Sequence, residues 1–200
     1  MRSGKISYSC RMEESTRPLN LEADLLVIGW GKAGKTLARA LASHGRHVVL
    51  VERDDAMIGG TCINVACVPT KTLVNLAERR GDQEPDDYLK HAIVSRDSLI
   101  DRLRAANKAM LSDLETVTLV HGEARFTGPR RIRVQAGEET LDITAGAVVV
   151  NTGTSPLMPD IPGIQGRFVY DSTTIQHIAD GRVPQTLTIV GGGFIGLEFA

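Results

Sequence analysis

Two cysteines, Cys62 and Cys67, are separated by four residues in the stretch GGTCINVACVPTK, residues 59–71. Thiols at that spacing can close an intramolecular disulfide: one sulfur attacks an acceptor and the other resolves the mixed disulfide. Pro69, Thr70 and Lys71 open an apolar run that predicts a helix over residues 70–80, since proline is favoured in a first turn. A helix N-terminus favours negative charge and so favours thiolate, and Cys67 lies nearest to it. Lys71 adds positive charge one turn in, and Gly59 and Gly60 permit close backbone approach to a neighbouring group. Two other readings compete, a zinc half-site and a pair of buried apolar cysteines. Zinc prefers shorter spacing and further Cys or His ligands. The five histidines, His44, His47, His91, His121 and His177, form no ligand pair in the sequence, and no metal site is expected.

The elements before the pair must supply something for it to exchange electrons with. Leu25–Ile28 predicts a buried strand, followed by a glycine turn and a helix in which Leu37, Ala40 and Leu41 recur at helical spacing, with Gly45 as its stop. Val48–Val51 predicts a second buried strand ending at Glu52, which completes a βαβ unit of a parallel sheet. The turn fits two phosphate-binding motifs. Gly29, Gly31 and Gly34 satisfy the G-x-G-x-x-G dinucleotide fingerprint, with Lys32 and Ala33 inside it. Gly29, Gly34, Lys35 and Thr36 also satisfy the P-loop of nucleotide hydrolases. Glu52 favours the first reading, because an acidic residue about 20 positions on binds ribose hydroxyls. The later apolar strands end at Asn151 or in a glycine turn, and neither supplies the magnesium-holding Asp that the P-loop reading wants.

After the pair, the pattern predicts a polar break over residues 81–87 and a long amphipathic helix from Tyr88 to Leu114 that packs on the domain. From Val117 the period changes to two. Short strands are predicted at 118–120, 124–126, 131–134 and 140–143, forming an antiparallel ribbon with one solvated face. Ala147–Val150 reads as a buried strand ending in Asn151-Thr152-Gly153, then prolines keep the chain extended. A short helix is expected around Ser172–Ala179 and a buried strand at Leu187–Val190. Gly191, Gly193 and Gly196 then repeat the fingerprint, with Phe194 and Ile195 inside it.

The composition sets broad limits. The 200 residues are 42% hydrophobic and 24% charged, with a net charge of −1. This gives no electrostatic case for nucleic acid or an acidic membrane, and no apolar run is long enough to span a bilayer. The first 22 residues read as a flexible extension, with Cys10 in it and Met12 as a second candidate start. They lack the apolar middle of a secretory signal, and a close cysteine pair then reads as redox-active in a cytoplasmic protein.

These motifs together resemble the class I pyridine nucleotide–disulfide oxidoreductases, which include glutathione reductase, dihydrolipoyl dehydrogenase and mercuric reductase. The resemblance runs from Ala23 to Ala200 and includes GEARF at 122–126. GWGKAGKTLA, CINVACVPTKTLV and VYDST are most like the branch linked to reactive-chlorine resistance and to NADH-dependent copper(II) reduction. The fold implied is α/β: a three-layer ββα, Rossmann-like domain for FAD with a parallel sheet and an antiparallel ribbon, then the truncated start of an NAD(P)-binding domain. The expected division is an extension over 1–22, the FAD domain over 23–160, and a connection with the second domain's start over 161–200.

The resemblance also implies site roles. Gly29, Gly31, Lys32, Ala33 and Gly34 would hold the FAD pyrophosphate, and Glu52 and Arg53 the adenosine ribose. Ala124, Thr152 and Gly153 would approach through backbone, with Gly60 and Thr61 beside the flavin. Cys67 would be the flavin-side thiol and Cys62 the thiol that meets the acceptor, a disulfide or a metal ion. Lys71 would pair with Glu198 near the flavin. Gly191, Gly193, Phe194, Ile195 and Gly196 would begin the site for NADH or NADPH. The full-length protein would be a homodimer, with the family's catalytic His–Glu pair in a later domain of the partner. The chain thus reads as an N-terminal fragment; the alternatives are a non-catalytic FAD-binding remnant or a P-loop hydrolase. Ala66 departs from the family's usual glycine before the second cysteine.

Overall fold

The computed structural model describes residues 18–178 and 182–200. Most of the expected extension, with Cys10 and Met12, and Ala179 of the expected short helix lie outside the described residues.

The chain begins with strand β1 (Leu19–Ile28), helix α1 (Lys32–Ala42) and strand β2 (Val48–Glu52). One-turn helix α2 (Thr61–Asn64), helix α3 (Cys67–Glu78) and long helix α4 (Pro85–Ser112) follow. Four strands come next: β3 (Val117–His121), β4 (Glu123–Gly128), β5 (Arg131–Ala136) and β6 (Glu139–Val150). The six strands form one sheet in the order β3-β2-β1-β6-β5-β4, parallel from β3 to β6 and antiparallel beyond.

Burial on both faces explains the unbroken apolar runs of β1 and β2. Leu25, Val27, Val48 and Leu50 point to one side, where they pack with Ala38, Ala42 and Leu111 of the helices. Leu26, Val49 and Val51 point to the other, where Ile132, Val134, Leu141 and Ile143 of the ribbon cover them. The result is three layers: ribbon, parallel sheet and helices.

Several boundaries differ from the sequence reading. Leu19–Glu22, expected in the extension, belong to β1 and run parallel to Leu141–Thr144. The strands expected at 140–143 and 147–150 are one strand, β6; Gly146 passes so close to Asp24 that a Cβ there would lie 2.8 Å from the Asp24 carbonyl oxygen. α4 starts at Pro85 within the expected polar break, because the Glu84 side chain accepts the Asp86 N–H and proline suits the first position. α3 starts at Cys67, not Thr70, since the missing N–H of Pro69 falls among the first-turn donors that need no helical partner. The buried face of α1 is Gly34, Lys35, Ala38 and Ala42, while Leu37 is exposed; close approach to the sheet selects small residues. The expected helix near 172–179 is a 3-10 turn at Thr174–His177, started by Asp171, whose carboxylate accepts the N–H groups of Thr173 and Thr174. Leu187–Val190 is not a strand: it has no pairing neighbour among the described residues and stays exposed. Only helix α5 (Phe194–Phe199) of the second fingerprint forms.

Candidate active site

The carboxyl ends of β1, β2 and β6 open on a cleft of about 840 Å³, the edge at which parallel α/β sheets bind ligands. The first glycine turn forms its floor. Gly29 leaves β1 at φ 95°, and a Cβ there would sit 2.5 Å from the Asn151 carbonyl oxygen. Gly31 caps α1 without a side-chain hydrogen bond, so the first-turn N–H groups have no capping side chain and can receive an anion. Gly34 lies against the sheet, where a Cβ would meet Val27 Cγ1 at 2.5 Å. The Glu52 carboxylate stands across the turn and accepts the N–H groups of Trp30 and Arg53 at 2.9 Å and of Asp54 at 3.2 Å. Gly60, Thr61, Ala124, Thr152 and Gly153 line the remaining walls.

The cysteine pair stands at one end of this cleft. Cys62 is the second residue of α2 and lines the cleft; Cys67 is the first residue of α3 and does not. Both are free thiols and exposed. The hydrogen bond to Cys67, followed by burial and the charge of Cys67, holds the Cys62 thiol above the ordinary cysteine range. Opposing this, the Lys35 ammonium favours the Cys62 thiolate. Ala66, just before Cys67, has φ −133° and ψ −101°.

The loop carrying the pair is held largely by α4. Asn64 Nδ2 donates to the carbonyls of Ile58 and Gly60 at 2.9 Å, and Asn64 Oδ1 accepts from Arg104 Nε and Nη2 at 3.3 and 3.1 Å. Gln176 donates to the Val65 carbonyl, between the cysteines, at 3.1 Å. Fully buried Arg96 donates in turn to the Gln176 carbonyl and, at 2.7 Å, to Asp97. Lys35 Nζ donates to the Gly59 carbonyl at 3.0 Å and to Asn107 Oδ1.

That last pair of bonds bears on the P-loop reading. A P-loop lysine must reach phosphate, but the ammonium of Lys35 is buried and turned toward α4. The local motif matches; the side chain is committed elsewhere.

The remaining predicted residues fall into two groups. Lys32 and Arg53 line the cleft, while Ala33 sits in the first turn of α1. Lys71 and Glu198 come together across α3 and α5, Nζ to Oε1 at 2.5 Å. Gly191, Gly193, Phe194, Ile195 and Gly196 surround the start of α5, away from the cleft lining. Sequence reasoning missed Lys35 as a buried cation, Asn64, Asn151, Gln176 and the polar residues of α4. One signal was available: Arg96, Ile100, Leu103, Asn107 and Leu111 recur at three and four, which puts two polar residues on the apolar stripe.

Comparison with known proteins identifies this arrangement. Residues 23–200 match the family described as pyridine nucleotide-disulphide oxidoreductase. The chain belongs to that family. RclA of Escherichia coli, described as a probable pyridine nucleotide-disulfide oxidoreductase, is 42% identical over 176 residues, covering 88% of this chain and 38% of RclA. A mercuric reductase of Streptomyces lividans is 35% identical over 190 residues, covering 88% of this chain and 39% of that protein. The solved Cu(II) complex of the HOCl-induced flavoprotein disulfide reductase RclA has a TM-score of 0.80 and 40% identity, covering 89% of this chain and 39% of that one. The chain therefore spans 38–39% of the length of these relatives. The family uses FAD and a nicotinamide dinucleotide.

The cleft fits FAD on its own features. Its volume lies within the 300–1,000 Å³ typical of cofactor sites, an uncapped helix start faces it, and a carboxylate stands across from that start. Among the described residues no helix is long and apolar enough to cross a membrane, and no three His, Cys, Asp or Glu side chains gather as a metal site would need.

Proposed function

We propose that this chain is the FAD-binding part of an NAD(P)H-dependent reductase whose Cys62–Cys67 pair delivers electrons to a disulfide or a metal ion, copper(II) included. The observation that carries this reading is that the cysteine pair borders the cleft: Cys62 opens on the space that the glycine turn and Glu52 enclose. FAD, when bound, supplies the two-electron carrier between a nicotinamide and a disulfide.

The chain's residues have distinct tasks in this scheme. The N–H groups of Gly31, Lys32, Ala33 and Gly34 hold the pyrophosphate at the start of α1, and Glu52 receives the ribose hydroxyls beside Arg53. Ala124, Thr152 and Gly153 approach through backbone, and Gly60 and Thr61 form the wall beside the pair. Lys71, held by Glu198, places positive charge near the start of α3. Gly191, Gly193, Phe194, Ile195 and Gly196 begin the nicotinamide-dinucleotide site.

The thiol chemistry follows from the pair's geometry. The neighbouring Cys67 and burial hold the Cys62 thiol above the ordinary cysteine range, so Cys62 must lose its proton before it attacks an acceptor disulfide. That attack forms a mixed disulfide and expels one thiolate. Cys67 then attacks Cys62 Sγ, expels the second thiolate and restores the Cys62–Cys67 disulfide. Cys67, the first residue of α3, is the resolving thiol in this scheme. No histidine lines the cleft among the described residues; in this reading the base for Cys62 belongs to a later domain of a full-length homodimer.

The first test is direct. The purified chain binds FAD and shows flavin absorption bands, and it gives no efficient NADH-driven turnover alone. In the full-length protein Cys62→Ser abolishes acceptor reduction while FAD stays bound. A chain that cannot bind FAD, or undiminished turnover by Cys62→Ser, overturns the reading.

A further inference from the structure

Lys35 is a charged side chain that the proposed relay leaves unused. It lies on α1, 4% exposed, and its ammonium donates to the Gly59 carbonyl at 3.0 Å and to Asn107 Oδ1 of α4. Burying an ammonium on neutral acceptors alone is costly, and among the described residues no carboxylate is bonded to it. A methionine would fill the same space without that cost. The position of Lys35 supplies a reason for keeping a charge. The Gly59 carbonyl immediately precedes Gly60, the cap of the one-turn helix that carries Cys62.

We propose that Lys35 is a positioning residue for the thiol pair: it pins the Gly59 carbonyl, three residues before Cys62, to Asn107 of α4 and keeps a buried positive charge at the loop that carries Cys62. The inference rests on reading Cys62 and Cys67 as the redox pair.

The charges around the two groups are few. Among the described residues, the groups whose charge acts on Cys62 are Cys67 of α3 and Lys35 of α1, and those acting on Lys35 are Lys32 of its own helix and Cys62 of α2. α4 presents neutral Asn107 to the ammonium and reaches the loop through Arg104 at Asn64. Burial first, then the neighbouring Lys32, push the Lys35 ammonium below the usual lysine range, and the Cys62 thiolate pulls it back up. The same attraction lowers Cys62. Coupling of this kind is reciprocal, so each group must report the other's charge.

Two measurements on the 200-residue chain test it. In the dithiol form, limiting iodoacetamide with mass-spectrometric mapping gives the alkylation rate of Cys62 against pH. Lys35→Met removes a cause that lowers the Cys62 pKa, so the profile moves to higher pH. At pH 7.5 the rate falls about three- to tenfold, as the thiolate fraction drops. Lys35→Arg retains the charge and most of the rate. A Lys35→Met chain with native circular dichroism and an unmoved Cys62 profile overturns the proposal and leaves Lys35 as a strut.

The second measurement needs no variant and decides the matter if Lys35→Met does not fold. The Lys35 side-chain carbon resonance is titrated with the pair reduced and then oxidised. Oxidised glutathione takes two electrons from the pair; both thiol protons leave with the two glutathione thiols, and the Cys62–Cys67 bond forms. Without the thiolate, Lys35 titrates at lower pH. Identical titrations in the two states overturn the proposal. Failure of the redox reading looks different: the wild-type pair would form no intramolecular disulfide in glutathione buffer, whatever Lys35 does.

Discussion

The chain contains two glycine turns of the same pattern, and only one is built into a site. Their local backbones agree closely. The first glycines, Gly29 and Gly191, have φ of 95° and 107°, and the helix caps, Gly31 and Gly193, have φ/ψ of −63°/163° and −74°/167°. Their surroundings differ. The first turn follows a fully paired strand; the second follows a segment with no pairing neighbour among the described residues. Val27 is fully buried and Val190 is 76% exposed. Backbone shape at such a turn is therefore a local property of the glycine spacing, whereas the cleft is a property of what packs around it.

Substitutions at equivalent glycines sharpen this contrast. The largest effect is expected at the first position. A Cβ on Gly29 would meet the Asn151 backbone at 2.5 Å, whereas one on Gly191 meets nothing within 4 Å. Gly29→Ala adds overlap to φ strain and should cost roughly 3 kcal/mol or more in urea unfolding, with loss of FAD binding. Gly191→Ala carries φ strain alone, about 1 kcal/mol. Equal costs would break the comparison.

Gly34→Ala comes next. Its methyl would press on Val27 and on Asn151 Nδ2 at 2.5 and 2.6 Å, against 3.0 Å for the contacts at Gly196. Unfolding should show about 1–3 kcal/mol lost at Gly34, and flavin fluorescence a weakened complex. Gly196→Ala should cost less, since that helix can shift.

Glu52→Gln probes the carboxylate that stands across the first turn. It keeps one amide acceptor for three backbone N–H groups and removes the charge, so FAD affinity should fall about tenfold, near 1.4 kcal/mol. An unchanged affinity by fluorescence titration would separate Glu52 from the ribose. The smallest effect belongs to the contact between the two halves. Lys71 and Glu198 are 64% and 33% exposed at the side chain, and Lys71→Met should change stability by less than about 0.5 kcal/mol. A cost above 1 kcal/mol would mean that the second turn is docked more firmly than its exposure suggests.

The sequence carried the first turn, Glu52, the cysteine pair and the layered fold well, because each is written in local spacing or in a run of apolar residues. It misled where burial depends on partners. Leu187–Val190 has the composition of a core strand and finds no pairing neighbour among the described residues. Leu37 has the right period for the α1 core, yet the sheet lies too close for it and small residues take that face. Lys35 is the clearest case. Its motif points to phosphate, and only the packing of α4 shows the ammonium turned to Asn107. The clamp from α4 was half-legible, as polar residues on an apolar stripe that no local rule could assign to a partner.

One feature of the sheet also governs the order of assembly. β1 is paired with β6 along nearly its full length, and Gly29 lies 122 positions before the Asn151 that closes over it. At ribosomal speeds of 5–20 residues per second, the first glycine turn waits roughly 6 to 24 s for its closing strand. The cradle that is synthesised first is thus completed late. Cofactor capture during synthesis must follow the emergence of β6, and until then the β1 edge that β6 will cover has no pairing strand.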